Sequence, residues 1–197
     1  MKSTITVLFL VVLLVKSSSF YAQTPRFRSG LIAGLNFSEL EGKGITDYYG
    51  VNAGLLGTAR LTKHSQLGME LLFSQNGEYI LPKFYPAIQY GKVHLNHIEI
   101  PFYIDWMIGV FEKEEYYDWH LNLGLAYTRL LGYKVENIQK ENVSSQIIYE
   151  NDDAMLLQVG TTYHFTQNFG LNFKASLPLR IDGLSWTLAA RAIYILH

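Results

Sequence analysis

From Phe27 onward, apolar and polar residues trade places with a period of two over one segment after another. Between Phe27 and Phe37 one face carries Phe27, Ser29, Leu31, Ala33, Leu35 and Phe37, and the other Arg28, Gly30, Ile32, Gly34 and Asn36. Two is the side-chain period of a β-strand, because successive Cβ atoms point to opposite faces. The pattern returns with Tyr49, Val51, Ala53, Leu55, Ala59 and Leu61 set against Gly50, Asn52, Gly54, Thr58 and Arg60, and with Leu67, Met69, Leu71 and Phe73 against Gly68, Glu70 and Ser74. It returns again in Trp119 to Thr128, Leu157 to Phe165, Phe169 to Leu177 and Trp186 to Leu196, while Val93 to Ile108 alternates least cleanly. About eight strands are predicted, which is the smallest size of a membrane barrel.

Soluble sandwiches and lipocalin-like barrels also alternate, so the character of the polar face decides between them. Here that face is mostly Gly, Asn, Ser, Thr and Ala. A water-facing surface would carry dense Lys and Glu, whereas small residues with scattered charges suit the lumen of a narrow barrel. The apolar face gathers aromatics towards the strand ends, namely Tyr49, Phe73, Trp106, Trp119, Tyr127, Phe165, Phe169, Trp186 and Tyr194. Amphipathic rings placed there match the interfacial girdles of membrane proteins. The links add a further sign, since outer-membrane barrels alternate short periplasmic turns with longer external loops. Thr62 to Ser65, Gly109 to Tyr117 and Thr166 to Asn168 are short; external loops are expected at Glu39 to Tyr48, Gly77 to Lys92 and Val135 to Asp153, and only the link at Leu179 to Gly183 breaks the contrast.

The N-terminus predicts export. Lys2 precedes the apolar run Ile5 to Val15, which is followed by Lys16, three serines and Phe20-Tyr21-Ala22-Gln23. That run is too short to span a hydrocarbon core of about 30 Å as a helix and fits the h-region of a signal peptide, with cleavage expected after Ala22. Residues 1–22 are then the signal peptide and residues 23–197 one barrel domain. Although 49% of the chain is hydrophobic, no later apolar stretch reaches the roughly 20 residues of a membrane helix, so the apolar content must be spread over strands. The chain has no cysteine, which excludes disulfides, thiolate chemistry and lipoprotein anchoring, and its formal charge of −1 gives no reason to expect a nucleic acid as partner.

Several strands are worded like those of a known family. Gly34-Leu35-Asn36-Phe37-Ser38, Met69-Glu70-Leu71-Leu72-Phe73-Ser74-Gln75-Asn76-Gly77 and Leu95-Asn96-His97-Ile98-Glu99-Ile100-Pro101-Phe102 resemble the PorT-like family of outer-membrane β-barrel proteins of Bacteroidetes. The Ala22-Gln23 junction also looks like signal-peptide endings of that phylum. The chain departs from the family at His97, where Tyr is frequent, and at its end, Tyr194-Ile195-Leu196-His197, where a final Phe is frequent. The resemblance implies a scaffold: a closed barrel, integral to the outer membrane of a Gram-negative cell and handled by the barrel-assembly machinery during biogenesis. The family's founding member is associated with protein secretion in the envelope, and most relatives have no assigned activity.

Arg28, Arg60, Glu70, Glu99, Asp105, Lys174 and Arg191 fall on the inward face, and unpaired charges are costly away from water, so a lumen network of ion pairs that plugs the barrel is expected. An eight-stranded interior is about wide enough for side chains alone, which argues against an open pore. His94 and His97, three apart on a strand, face opposite sides and do not share a metal ion. Asp118 and His120 share a face and permit a hydrogen-bonded pair, with no nucleophilic Ser beside them. Glu112, Lys113, Glu114 and Glu115 read as a solvated turn, and Asn142-Val143-Ser144 as a chance sequon in an exposed loop. Leu81, Phe84, Tyr85, Ile88 and Tyr90 make the second long link more apolar than solvation requires, so it is expected to pack over the barrel mouth or contact a partner.

The sequence thus predicts an all-β, closed, antiparallel, up-and-down transmembrane barrel of about eight strands. It is expected to be non-enzymatic and without cofactor or metal, with outer-membrane lipid and an envelope protein as partners. The competing readings are an outer-membrane lipid-modifying enzyme centred on His120 and a soluble lipocalin-like periplasmic carrier.

Overall fold

The alternating segments form eight strands in chain order: β1 (Phe27–Glu39), β2 (Tyr48–Arg60), β3 (Ser65–Ile80), β4 (Gly91–Ile108), β5 (Trp119–Asn137), β6 (Asp153–His164), β7 (Phe169–Pro178) and β8 (Trp186–Leu196). They are seen in a computed structural model that describes residues 26–39, 48–80, 91–109, 117–137, 153–179 and 186–196. Each strand pairs antiparallel with the next, and β1 pairs with β8 from Ser29↔Leu196 to Glu39↔Trp186, so the sheet closes on itself. Closure leaves no sheet edge around the girth, as hydrocarbon requires of any spanning sheet.

Side-chain parity turns the sheet into an inside and an outside. Leu31, Leu35, Leu55, Met69, Leu71, Phe102, Leu121, Leu123, Val159 and Phe173 are all exposed on the outer face. On the same strands Asn36, Asn52, Glu70, Asp105, Asn122, Thr162, Asn172 and Arg191 are buried inside. This inversion of the globular rule would be unstable in water and is what a lipid solvent selects. Aromatics collect at both ends of the outer face. Trp119, Tyr163, Phe165 and Phe169 form a chain of ring contacts 4.9–5.9 Å apart near the end where β1 begins and β8 finishes, and Phe37 meets Tyr49 edge-on at 5.3 Å near the other.

The end where β1 begins and β8 finishes carries tight connections. Leu61 N–H donates to Ser65 O at 2.9 Å, and the Thr62 hydroxyl lies 2.8 Å from that of Ser65. In the turn after β6, Thr166 Oγ1 accepts the backbone N–H groups of Asn168 and Phe169. Asn168 then locks to β8, its side chain donating to Ile195 O and its carbonyl accepting Ile195 N–H. Gly109, with φ of 85°, ends β4 in the left-handed region that favours glycine.

At the opposite end the wall is uneven. β3, β4 and β5 have 16, 18 and 19 residues against 10 and 11 in β7 and β8. A tilted strand crosses a membrane with about 9–11 residues, so the longer strands rise above the rim. β5 runs to Asn137, and among the described residues it pairs with β6 as far as Arg129↔Asp153. The register of β4 and β5 shifts between Asn96 and His97, partnered by Gly132 and Leu130, so Leu131 is an extra residue in β5.

The expected loop boundaries need correction on this side. Gly77 to Ile80 continue β3, Gly91 and Lys92 open β4, Val135 to Asn137 end β5, and Tyr48 opens β2 as a fully buried residue. Cross-strand pairing carried these residues into the sheet where their own alternation had faded. The signal-peptide reading of residues 1–22, the apolar segment Leu81, Phe84, Tyr85, Ile88 and Tyr90, the Glu112 to Glu115 cluster and the Asn142 sequon lie outside the described residues.

Candidate functional site in the barrel interior

The interior is organised by which inward positions face each other across the lumen. Glu70 on β3 is met from the opposite wall by Lys174 on β7 and Arg191 on β8, with Lys174 Nζ 3.0 Å from Oε1 and Arg191 Nη1 2.8 Å from Oε2. Glu70, Lys174 and Arg191 are 2%, 4% and 3% exposed, so this triad bridges the barrel away from water. Arg191 also donates through Nε to Asn172 Oδ1 at 2.9 Å, and Lys174 Nζ sits 4.5 Å from the ring centre of Tyr103. Gly68 leaves room for that ring, because a Cβ there would overlap Tyr103. Ile32, Leu56, Leu72, Tyr103, Ile193 and Ile195 pack as an apolar cluster inside the lumen beside the triad. The strand pattern hides this second, inner core because all of it lies on the face that otherwise reads as polar.

A second group sits towards the external side. Glu99 accepts from Gln158 Nε2 at 2.6 Å, and Gln158 also donates to Ser176. Asn36 and Asn52 bond to each other, and Asn36 Nδ2 donates to Ser74 Oγ at 2.8 Å. Tyr48 lies over Gly77, with its hydroxyl 2.7 Å from His94 Nδ1.

The third group lies towards the periplasmic mouth. His120 Nδ1 is 2.8 Å from Asp105 Oδ2, which also accepts from Gln66 Nε2 at 2.7 Å, and His120 Nε2 is 3.1 Å from Tyr117 O. The His164 ring lies tilted against that of His120 with ring centres 4.6 Å apart. A cavity of about 40 Å³ opens beside this group and reaches Arg26, Arg28 and Arg60, while a separate one of about 20 Å³ lies among Asn36, Asn52, Glu99, Gln158 and Arg191. Spaces of that size hold a few waters each, well short of a hydrated channel.

The seven charges expected in one network are therefore distributed over different layers. Glu70, Lys174 and Arg191 come together. Glu99 makes its hydrogen bond to a neutral amide, and Asp105 to His120 and Gln66, with no arginine partner for either among the described residues. Arg28 and Arg60 lie at the mouth, where no described carboxylate pairs with them. The pair of Asp118 and His120 that a shared face permits is not formed: Asp118 Oδ1 accepts Trp119 N–H in its own turn, and His120 reaches the neighbouring strand for Asp105. Met107 is the partner of His120 in the β4–β5 register, which places Asp105 diagonally beside it. His164, Gln158, Asn172 and Asn36 were on the inward face of the pattern, and only the register tells which of them meet. Among the described residues there is no group of three or more metal-ligating side chains, and no helix is long and apolar enough to cross a membrane.

Comparison with known proteins agrees with this architecture. The family described as outer membrane protein beta-barrel domain matches residues 21–180. No protein of curated function matches the sequence. Among solved structures, Ail, the attachment invasion locus protein of Yersinia pestis, is similar with a TM-score of 0.53 at 12% identity, covering 87% of this chain and all of that one. The same protein in complex with the heparin analogue sucrose octasulfate gives a TM-score of 0.52 at 12% identity with the same coverage. OprG from Pseudomonas aeruginosa is similar at 11% identity and a TM-score of 0.49, covering 87% of this chain and 94% of its own. At such identities the likeness is one of fold. The apolar exterior rules out the soluble carrier. By its sequence match over most of its length, the chain belongs to the outer membrane protein beta-barrel domain family and is an integral protein of the outer membrane.

Proposed function

We propose that this protein is a non-enzymatic barrel of the PorT-like kind, a structural element or an accessory of an envelope secretion or assembly complex, with its working surfaces on the rim and external segments. The observation that carries this reading is the triad Glu70–Lys174–Arg191 across the lumen, packed against the inner apolar cluster. A filled interior supports a scaffold and argues against a conduit. The outward wall at β3–β5 supplies a raised platform, and the apolar residues Leu81, Phe84, Tyr85, Ile88 and Tyr90, which belong to the link between β3 and β4, are the partner-contact segment of this proposal. The lipid-enzyme reading has less support, since His120 and Asp105 are buried inside the barrel and the leaflet lies outside it.

The test combines two measurements on the tagged chain in its native membrane. Photo-crosslinkers placed at Tyr85 and Tyr90 are expected to trap an envelope protein reproducibly, while a crosslinker at the lipid-facing Leu123 does not. Purified barrel in planar bilayers is expected to give no conductance steps. Steady channels, or crosslinks no different from those at Leu123, would overturn the accessory reading.

A further inference from the structure

We infer that Arg26, Arg28 and Arg60 form a binding site for a small phosphate-bearing anion at the periplasmic mouth of the lumen. Arg28 and Arg60 stand on the adjoining strands β1 and β2, and Arg60 N–H donates to Arg26 O at 2.8 Å, so the three side chains start from one hydrogen-bonded corner. Parity turns Arg28 and Arg60 towards the lumen, where both are half-buried. All three line the cavity of about 40 Å³ that continues inward to His164 and His120.

Charge makes this corner unlike the rest of the interior. Deeper in the barrel, Lys174 and Arg191 share the carboxylate of Glu70. At the mouth no described carboxylate lies within ion-pair distance of Arg26, Arg28 or Arg60, and Arg28 and Arg60 are diagonal neighbours on adjoining strands that line one cavity, where like charges repel. The acid that lines the same cavity, Asp105, is engaged by His120 and Gln66. Partial burial strengthens repulsion between like charges, and an anion placed between them replaces it with attraction. Guanidinium also suits the task, because its planar fork matches the oxygens of phosphate in a way a lysine does not. A soluble phosphate and a phospholipid headgroup of the inner leaflet share this chemistry. The inward aim of Arg28 and Arg60 suits the first, and the exposed Arg26 is placed to meet the second. The inference does not depend on a role in secretion.

The experiment uses the full mature chain, folded in zwitterionic detergent and titrated with inorganic phosphate against chloride at equal ionic strength. Binding heat and the temperature of the heat-induced gel shift are read together. Wild-type protein is expected to bind phosphate and to hold its barrel to a higher temperature, and Arg28→Gln or Arg60→Gln to bind about tenfold more weakly. Arg28→Lys and Arg60→Lys, which keep the charge and lose the fork, serve if a glutamine variant does not fold, and are expected to be weaker by several fold. A parallel arm compares phosphatidylcholine vesicles with and without phosphatidylglycerol. Arginine-dependent stabilisation by the anionic vesicles alone identifies the headgroup as the source, and stabilisation by free phosphate identifies a soluble ligand. Indifference of the wild type in both arms, or equal responses from wild type and arginine variants, would overturn the site.

Discussion

The middle of the lumen and its periplasmic mouth are lined by the same strands, yet they treat charge in opposite ways. In the middle, Glu70 is bonded by two cations, and Arg191 is further tied to Asn172. At the mouth, Arg28 and Arg60 line one cavity together with Arg26, whose guanidinium reaches over the Phe27 ring, and no described carboxylate pairs with any of the three. The difference follows from access to water. A buried ion loses its hydration and must recover it from partners, whereas an ion at the rim retains much of its solvent and can be left available. The middle layer is thus built for closure and the mouth for contact with something that arrives from outside.

The comparison can be broken most severely at Glu70. Replacing it by Gln takes from two buried cations the only carboxylate that hydrogen-bonds to them among the described residues, and a loss of about 3–5 kcal/mol is expected from such a break. The readout is the denaturant midpoint of the refolded barrel, and a near-neutral result would mean that water reaches the middle layer after all. On the lipid side, Leu123→Arg puts a charge on an exposed position near the centre of the stretch of β5 that is paired with β6. The expected cost is about 2–4 kcal/mol in vesicles. It should shrink greatly in a loose detergent micelle, which separates a lipid effect from a packing one.

Smaller changes sharpen the picture. Gly68→Ala pushes a methyl group into the Tyr103 ring that lies under Lys174, and overpacking of that kind costs about 1–3 kcal/mol. Its loss should be partly rescued by Tyr103→Leu, and the absence of rescue would show that the ring is not what the glycine accommodates. At the mouth, Arg60→Gln is expected to change stability by no more than about 0.5 kcal/mol in phosphate-free buffer, and in the stabilising direction, because it removes a repulsion. A clear loss there would show that Arg60 has a structural partner.

Much of the architecture was legible because a strand's parity is local. The inward placement of Glu70, Lys174 and Arg191 and the outward placement of Leu31, Leu55, Leu123 and Phe173 follow from alternation alone, and the structure places them so. The ends of β3 and β5 were not legible, since Glu78 to Ile80 and Val135 to Asn137 owe their strand conformation to partners across the β4 hairpins. The partner of His120 was not legible for a related reason. Asp118 is closer in sequence, but the neighbouring strand brings Asp105 closer in space.

The sequence by itself determined the barrel reading, the number of strands and the face on which the inward charges lie, because those depend on a period of two repeated within single strands. Which charges meet was decided by the tertiary structure alone. Closing β8 onto β1 fixes the stagger of all eight strands at once. That stagger brings residues 104 and 121 positions away from Glu70 to its carboxylate, and leaves three arginines together at the mouth. No pattern along one strand records the height at which its neighbour across the lumen stands.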